Sequence, residues 1–360
     1  KCRDERWVSI SCVFPPLTNG TLEVLGCAPD RKSAAAAIAQ WDSFDLERAL
    51  TEKDLSGVVI RSEKEWLSHP QGMATSDLPV VELEQIGDAP PMPLPEGLQP
   101  LAGLRVLDLT RVLAGPTVSR TLAEFGADVL QISAPHHPDL NSSQADTGHG
   151  KKRAHLNINN PADEHRLREL IGDADVFSQS FRTGRLANRG FSPEQVAAAN
   201  PGIIYVSENC YGHTGPWIHK RGFDSNARAT SGVLLKHEQP GDRPDPERLH
   251  FAMHDYATGC WGAYGVLQAL IKRATVGGSW QVRVSLNQTA QWFLRLGAPY
   301  DPAAAPSQAD LWAMFSDYSE FNDSSYGRLE RLKPVLQMSE TEPVWEGPTL
   351  RPGESEASWG

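Results

Sequence analysis

The sequence predicts an α/β protein: a doubly wound, mostly parallel sheet in a Rossmann-like large domain, with a smaller α+β subdomain. Three observations point there. From residue 101 onward, short apolar runs alternate with helical stretches, the pattern of strands buried on both faces of a parallel sheet. A Pro-rich break at residues 88–100 separates this block from a piece of about ninety residues before it. The composition, 40% hydrophobic and 22% charged over 360 residues, is globular and long enough for one large domain or two ordinary ones.

Residues 1–87 read as the small α+β piece. Within it, KSAAAAIAQW (32–41) is rich in helix formers, and VVIR (58–61) is a short strand. Ser62-Glu-Lys-Glu65 is a capping box that starts a helix through Trp66 and Leu67. In the break, Pro90, Pro91, Pro93, Pro95 and Pro100 hold the chain extended as a polyproline-like linker. Residues 101–296 then form the large domain. Strands are expected at 104–110, 128–133, 175–180, 202–207 and 280–286. Helices are expected at 116–125, from Pro161, from the Ser192-Pro-Glu-Gln195 start, and at about 256–274. Residues 297–360 are poor in long apolar runs and rich in Pro, Ser and Glu. They are expected as an irregular extension wrapping the body or a partner subunit.

Charge and missing motifs narrow the function. Lys plus Arg number 34 against 45 Asp plus Glu, a net charge of -11, which argues against a nucleic-acid binder. No apolar run reaches the length of a membrane span, and no signal-peptide pattern opens the chain, so no membrane partner is expected. The first residue is Lys1, and the expectation is a chain without its native N-terminus. Five cysteines, an odd number with no C-x-x-C spacing, read as reduced thiols in the cytoplasm. The first strand is followed by Arg111-Val-Leu-Ala-Gly115-Pro116 rather than G-x-G-x-x-G, and neither a P-loop nor a G-x-S-x-G elbow occurs. His136 and His137 lack metal-site spacing, so no metal is expected.

Three local features carry possible chemistry, each with a plain structural alternative. The turn Leu113–Pro116 either admits a ligand to the backbone at a helix N-terminus or is simply tight. Lys151, Lys152 and Arg153, and across one helix Arg182, Arg185 and Arg189, either bind phosphates or are solvated basic faces. In HDYATGCWGAYGVLQALIKR (254–273), Asp255 sits at or just before a helix start, where Asp is a routine N-cap. Gly259, Gly262 and Gly265 give that helix a small-residue face for another backbone or a flat ligand.

Taken together these segments resemble the class III CoA-transferase family (CaiB/BaiF type), which includes formyl-CoA and carnitine CoA-transferases and 2-methylacyl-CoA racemases. LAGLRVLDLTRVLAGP (101–116), AEFGADVLQI (123–132), GKKRAHLNI (150–158), ADVFSQSFRTGRLANRGFSPE (174–194), NPGIIYVSENCYGHTGP (200–216), RGFDSNARATSG (221–232) and the segment from His254 to Thr289 follow in the family's order. VVIRSEKEWLSHP (58–70) resembles the end of the family's small domain but precedes the large domain here, as in a tandem or permuted variant.

The resemblance implies coenzyme A as the cofactor, carried as an acyl-CoA substrate, a small carboxylic acid as its partner substrate, and an interlocked homodimer. It makes Asp255 the catalytic nucleophile, attacking the thioester to give a mixed anhydride and then an aspartyl-CoA thioester. The positive end of its helix is expected to hold the carboxylate ionised. The implied CoA contacts are Val112, Leu113, Ala114, Lys152, Arg153, Phe181, Arg182, Arg221 and Phe223.

The departures also speak. A Lys-Val-Glu-like strand end followed by Arg reads Gln131-Ile-Ser-Ala-Pro135, an Asn is replaced by Ser180, and the glycine-rich loop of oxalate-type transferases is not found. Oxalate and formate specificity are therefore not expected. The racemase alternative needs a base on each side of Cα; Phe223 stands where that branch carries His, leaving His254 and His213 as substitutes. A third reading is an acyl-CoA-binding protein without turnover. Of the ten tryptophans, Trp217, Trp261, Trp280 and Trp292 read as core and dimer-interface anchors rather than a binding stripe.

Overall fold

The computed structural model describes residues 1–94, 96–137, 140–236, 252–297 and 306–359. Pro95 of the linker and 298–305 of the extension lie outside the described residues.

The N-terminal segment runs β1 (Val8–Ile10), α1 (Pro15–Leu25), α2 (Arg31–Ile38), α3 (Ser43–Glu52), β2 (Gly57–Val59), α4 (Glu63–Leu67) and α5 (Pro70–Thr75). β1 and β2 form a two-stranded antiparallel sheet, and Leu17, Leu25, Leu46, Leu50 and Leu55 pack a small core beneath it. The Ser62–Glu65 capping box forms as expected, and Trp66 behind it is fully buried. β3 (Val81–Gly87) then pairs antiparallel with a strand near the far end of the chain, so residues ahead of the Pro-rich break are built into the main sheet.

The main sheet continues through β4 (Arg105–Leu109), α6 (Ala114–Glu124), β5 (Asp128–Ser133), α7 (Asn141–Thr147), β6 (Lys151–His155), α8 (Pro161–Gly172), β7 (Val176–Gln179), α9 (Pro193–Ala199) and β8 (Ile204–Asn209). α10 (Asp224–Ser231), α11 (Val233–Lys236), α12 (Met253–Thr275), β9 (Ser279–Ser285) and α13 (Leu286–Leu296) follow. The seven strands lie in the order β3-β9-β8-β7-β4-β5-β6, parallel except for β3. Without β3 this is a doubly wound order whose direction of travel reverses beside β4. Apolar side chains fill both faces: Val106, Val129, Val206 and Val282 on one, Leu107, Leu130, Phe177 and Tyr205 on the other.

The expected strands all form. Sequence periodicity missed β6, because KKRAH carries three basic residues. Two of them point inward and are paired there. Lys151 Nζ lies 3.1 Å from Asp108 Oδ2 and donates to Pro116 O at 2.7 Å. Arg153 donates to Gln144 O at 3.0 Å and Leu350 O at 2.9 Å. A charged run can thus be a buried strand when the fold supplies acceptors.

The C-terminal extension has more regular structure than expected. α14 (Gln308–Tyr318) begins at a Ser307–Asp310 capping box, a local signal present in the sequence, and β10 (Ser319–Ser324) and β11 (Gly327–Leu332) form a hairpin. Beyond it, Trp345 donates Nε1–H to Arg120 O at 3.0 Å and Trp359 to Leu170 O at 3.2 Å, so this stretch lies over the body.

The glycine face of α12 serves packing. A Cβ at Gly259 would stand 2.4 Å from Thr117 Cβ and 2.7 Å from Ala114 O, at Gly262 it would meet Val118, and at Gly265 Val282. Of the two expected occupants, another backbone or a flat ligand, it is α6 and the sheet that pack there. Among the described residues no helix is long and apolar enough to cross a membrane, and no group of three His, Cys, Asp or Glu is placed to hold a metal.

Candidate active site

The sheet order puts β4 and β7 side by side where the connections turn in opposite directions, and a cleft opens at their carboxyl ends. A doubly wound sheet leaves a crevice at this point because the loops leaving the two strands diverge. The cleft measures about 570 Å³. Arg111, Val112 and Ala114 enter it from the β4 loop, and Ser180, Phe181 and Arg182 from the β7 loop. Glu208, Asn209, Cys210 and Tyr211 come from the end of β8, and Asp255 from the first turn of α12.

The β4 turn is strained. Val112 has φ 72°, a left-handed value that a β-branched side chain rarely adopts. The first turn of α6 has no side-chain cap, so its leading N–H groups have no side-chain acceptor. Backbone strain beside an uncapped helix start is typical of a ligand-shaped turn.

Of the residues named from the sequence, Val112, Ala114, Phe181, Arg182, Arg221, Phe223 and Asp255 meet in this one cleft. Leu113, Lys152 and Arg153 do not. Leu113 is the buried cap residue of α6, and Arg153 is buried under the C-terminal extension. Lys152 pairs with Asp128 at 3.1 Å on the neighbouring strand. The basic run on β6 alternates about the sheet plane, and neither Lys152 nor Arg153 reaches the crevice. The other basic cluster does, since Arg182, Arg185 and Arg189 all line it.

Asp255 is the third residue of α12 rather than its cap. The cap position is Ala252, at φ 40° with no side-chain hydrogen bond. The Asp255 side chain is 7% exposed, and none of its carboxylate oxygens has a hydrogen-bond partner among the described residues. Burial, then the neighbouring carboxylates of Asp224 and Glu208, push Asp255 well above the usual carboxylate range. The expected stabilisation of its anion by the helix end is therefore opposed by desolvation and like charge. Asp224 is itself paired: Arg228 Nε lies 2.5 Å from its Oδ1, and the backbone N–H of His254 donates to its Oδ2 at 3.0 Å.

The cleft mouth is cationic. Arg182 donates to Asp54 Oδ2 at 2.8 Å, Arg221 to the same oxygen at 3.2 Å, and Arg185 lies 3.9 Å from it. Partial burial raises the Asp54 carboxyl, but the hydrogen bond and charge of Arg182, with Arg221, outweigh this and hold it below its ordinary value. Lys220 donates to Thr51 Oγ1 at 2.7 Å and sits 4.4 Å over the Trp217 ring; burial lowers its pKa to about 8 against the pull of Glu47. Trp217, expected as a structural anchor, lines the cleft beside Tyr211, 5.1 Å ring to ring. Trp280 is a core residue, and Trp261 and Trp292 pack edge to face at 5.3 Å.

Sequence reasoning missed Asp54, Glu208 and Lys220. Glu208 comes near the end of an otherwise apolar strand, GIIYVSE, and the carboxyl end of a central strand was the one available signal.

A model of CoA-transferase family III matches residues 101–311. "Acetyl-coenzyme A transferase nodX" of Hypoxylon pulicicidum is 34% identical over 282 residues, covering 73% of this chain and 47% of that protein. "Succinyl-CoA:glutarate CoA-transferase" of Mus musculus is 35% identical over 195 residues, 51% of this chain and 44% of that protein. The chain thus spans about half the length of these curated relatives. A CAIB/BAIF family protein from Brucella suis shares the fold with a TM-score of 0.60 at 20% identity, covering 71% of this chain and 97% of that one. On the match across 101–311, this chain belongs to CoA-transferase family III.

Proposed function

We propose that the protein transfers coenzyme A from an acyl-CoA to a small carboxylic acid, with Asp255 as the nucleophile. The observation that carries this reading is Asp255 itself: a buried carboxyl without a hydrogen-bond partner, in a cleft with an arginine-rich mouth. Its Oδ attacks the thioester carbonyl, and the C–S electrons leave as CoA thiolate. The thiolate returns to the aspartyl carbonyl and releases the first carboxylate, and the acceptor acid reverses the sequence. Desolvation strengthens the carboxylate as a nucleophile and keeps water from the thioester. Arg182, Arg185 and Arg221 suit the phosphates of CoA, and Val112, Ala114 and Phe181 the pantetheine arm. The homodimer, its interlocking, the residue 88–100 linker between two parts and a cytoplasmic location belong to the same reading.

The two histidines that the racemase alternative would use, His254 and His213, stand away from the cleft. His254 is fully buried with Nδ1 3.4 Å from Asp224 Oδ2, and His213 shares a 2.8 Å hydrogen bond with Ser207 Oγ. Neither lines the cleft. The test incubates the protein with a panel of acyl-CoAs and carboxylic acids, maps hydroxylamine-labile adducts by mass spectrometry, and repeats this with Asp255→Ala. CoA on the Asp255 peptide, with transfer lost in the variant, supports the reading. Full transfer by the variant overturns it, and stabilisation by acyl-CoA without product favours a binding protein.

A further inference from the structure

The transferase reading uses one carboxyl of the cleft, and the structure holds a second beside it. Glu208 is the penultimate residue of β8, lines the same cleft and is 7% exposed. Its carboxyl has no hydrogen bond or ion pair with any described residue. Several polar groups near it are committed, while the buried Tyr211 hydroxyl of the same cleft has no hydrogen-bond partner among the described residues. Asn209 accepts from Gly212 N at 2.7 Å and donates to Gly212 O at 3.0 Å. Cys210 Sγ donates to Phe223 O at 3.6 Å, and Arg228 on α10 is taken by Asp224. On β9, Arg283 is paired with Glu82 and Glu84, and His213 is bound to Ser207. An acyl group brought to Asp255 therefore meets no free cation among these neighbours, yet its oxygen gains negative charge when Asp255 attacks.

We propose that Glu208 is a further catalytic residue: its carboxyl O–H donates a hydrogen bond to the acyl oxygen as Asp255 attacks, and to the carboxylate that leaves or enters. The inference rests on the transferase reading. Glu208 keeps its proton throughout, so the balance of the transfer is unchanged: the Asp255 O–C bond forms, the C–S bond breaks, and the electron pair leaves with the CoA thiolate. Burial alone pushes Glu208 up to about 8, which keeps it neutral at pH 7 as a donor must be. A neutral Glu208 also removes its repulsion of the Asp255 carboxylate, so one proton in this pair favours the other's anion. Asp255 and Cys210 are the titratable groups that feel the Glu208 carboxyl, and Cys210 is hydrogen-bonded as described.

The test measures the rate at which acetyl-CoA and succinyl-CoA load CoA onto Asp255, in the unsubstituted protein, E208Q and E208L, from about pH 6 to 9.5. E208L is expected to load about a hundredfold more slowly, the usual effect of losing one oxyanion donor. E208Q retains an N–H donor and is expected to keep most of the rate. It should also lose the alkaline decline expected of the unsubstituted protein as Glu208, pushed up to about 8, ionises. Equal loading by E208L, or the same alkaline decline in E208Q, overturns the proposal. If neither acyl-CoA loads Asp255 in any of the three, the covalent transferase reading is what fails. Glu208 is then read directly by carbon-13 NMR titration of its carboxyl with acetate present. A neutral carboxyl at pH 7 that responds to acetate upholds the donor role, and an ionised or unresponsive one overturns it.

Discussion

Arg182 reaches across the cleft mouth to Asp54, donating from Nη2 to Oδ2 at 2.8 Å. Asp54 comes from the N-terminal segment and holds φ 57° in the turn before β2, while Arg182 follows β7 in the main sheet. The carboxylate stands where Arg182, Arg185 and Arg221 converge, the position a ligand phosphate would share.

Replacing Asp54 by Ala is expected to tighten CoA binding by about two- to fivefold, the worth of one partly exposed pair that a phosphate need no longer displace. Arg182→Ala is expected to weaken it. Calorimetry at two salt concentrations checks both, and the gain in the Asp54 variant should shrink at high salt.

Gly259→Ala is expected to destabilise the fold by about 1–3 kcal/mol, because its Cβ would meet Thr117 and Ala114 O at the crossing of α12 and α6. A chemical-denaturation midpoint measures this. Because Ala114 also borders the cleft, CoA affinity should fall alongside stability.

Lys151→Met removes one side of a buried ion pair whose side chains are both 0% exposed. Asp108 would be left with Thr110 and Ser119 as donors but no cation. The expected cost is about 3–5 kcal/mol, seen as a lower unfolding midpoint. The double variant with Asp108→Leu should recover much of the loss, which a double-mutant cycle reads.

Much of the architecture was written locally. The capping boxes at Ser62 and Ser192, the Pro161 helix start and the apolar strands depend on residues within a few positions of one another, and a linear reading suffices for such signals. The crevice residues Val112, Phe181 and Asp255 were implied by the family resemblance of their segments, and the fold gathers them in one cleft.

What the tertiary structure decided is which polar groups face one another. KKRAH reads as a surface cluster until Asp108, Gln144 and Leu350 are found around it. The glycines of α12 read as a face for another backbone or a flat ligand until α6 fills it. Glu208 lies just past the expected strand 202–207 and draws no notice until Asp255, 47 residues on, stands in the same cleft. Periodicity and caps are short-range and survive in the sequence. Burial and charge pairing arise between distant segments, and only the folded chain sets the solvation that makes a carboxyl a nucleophile or a donor.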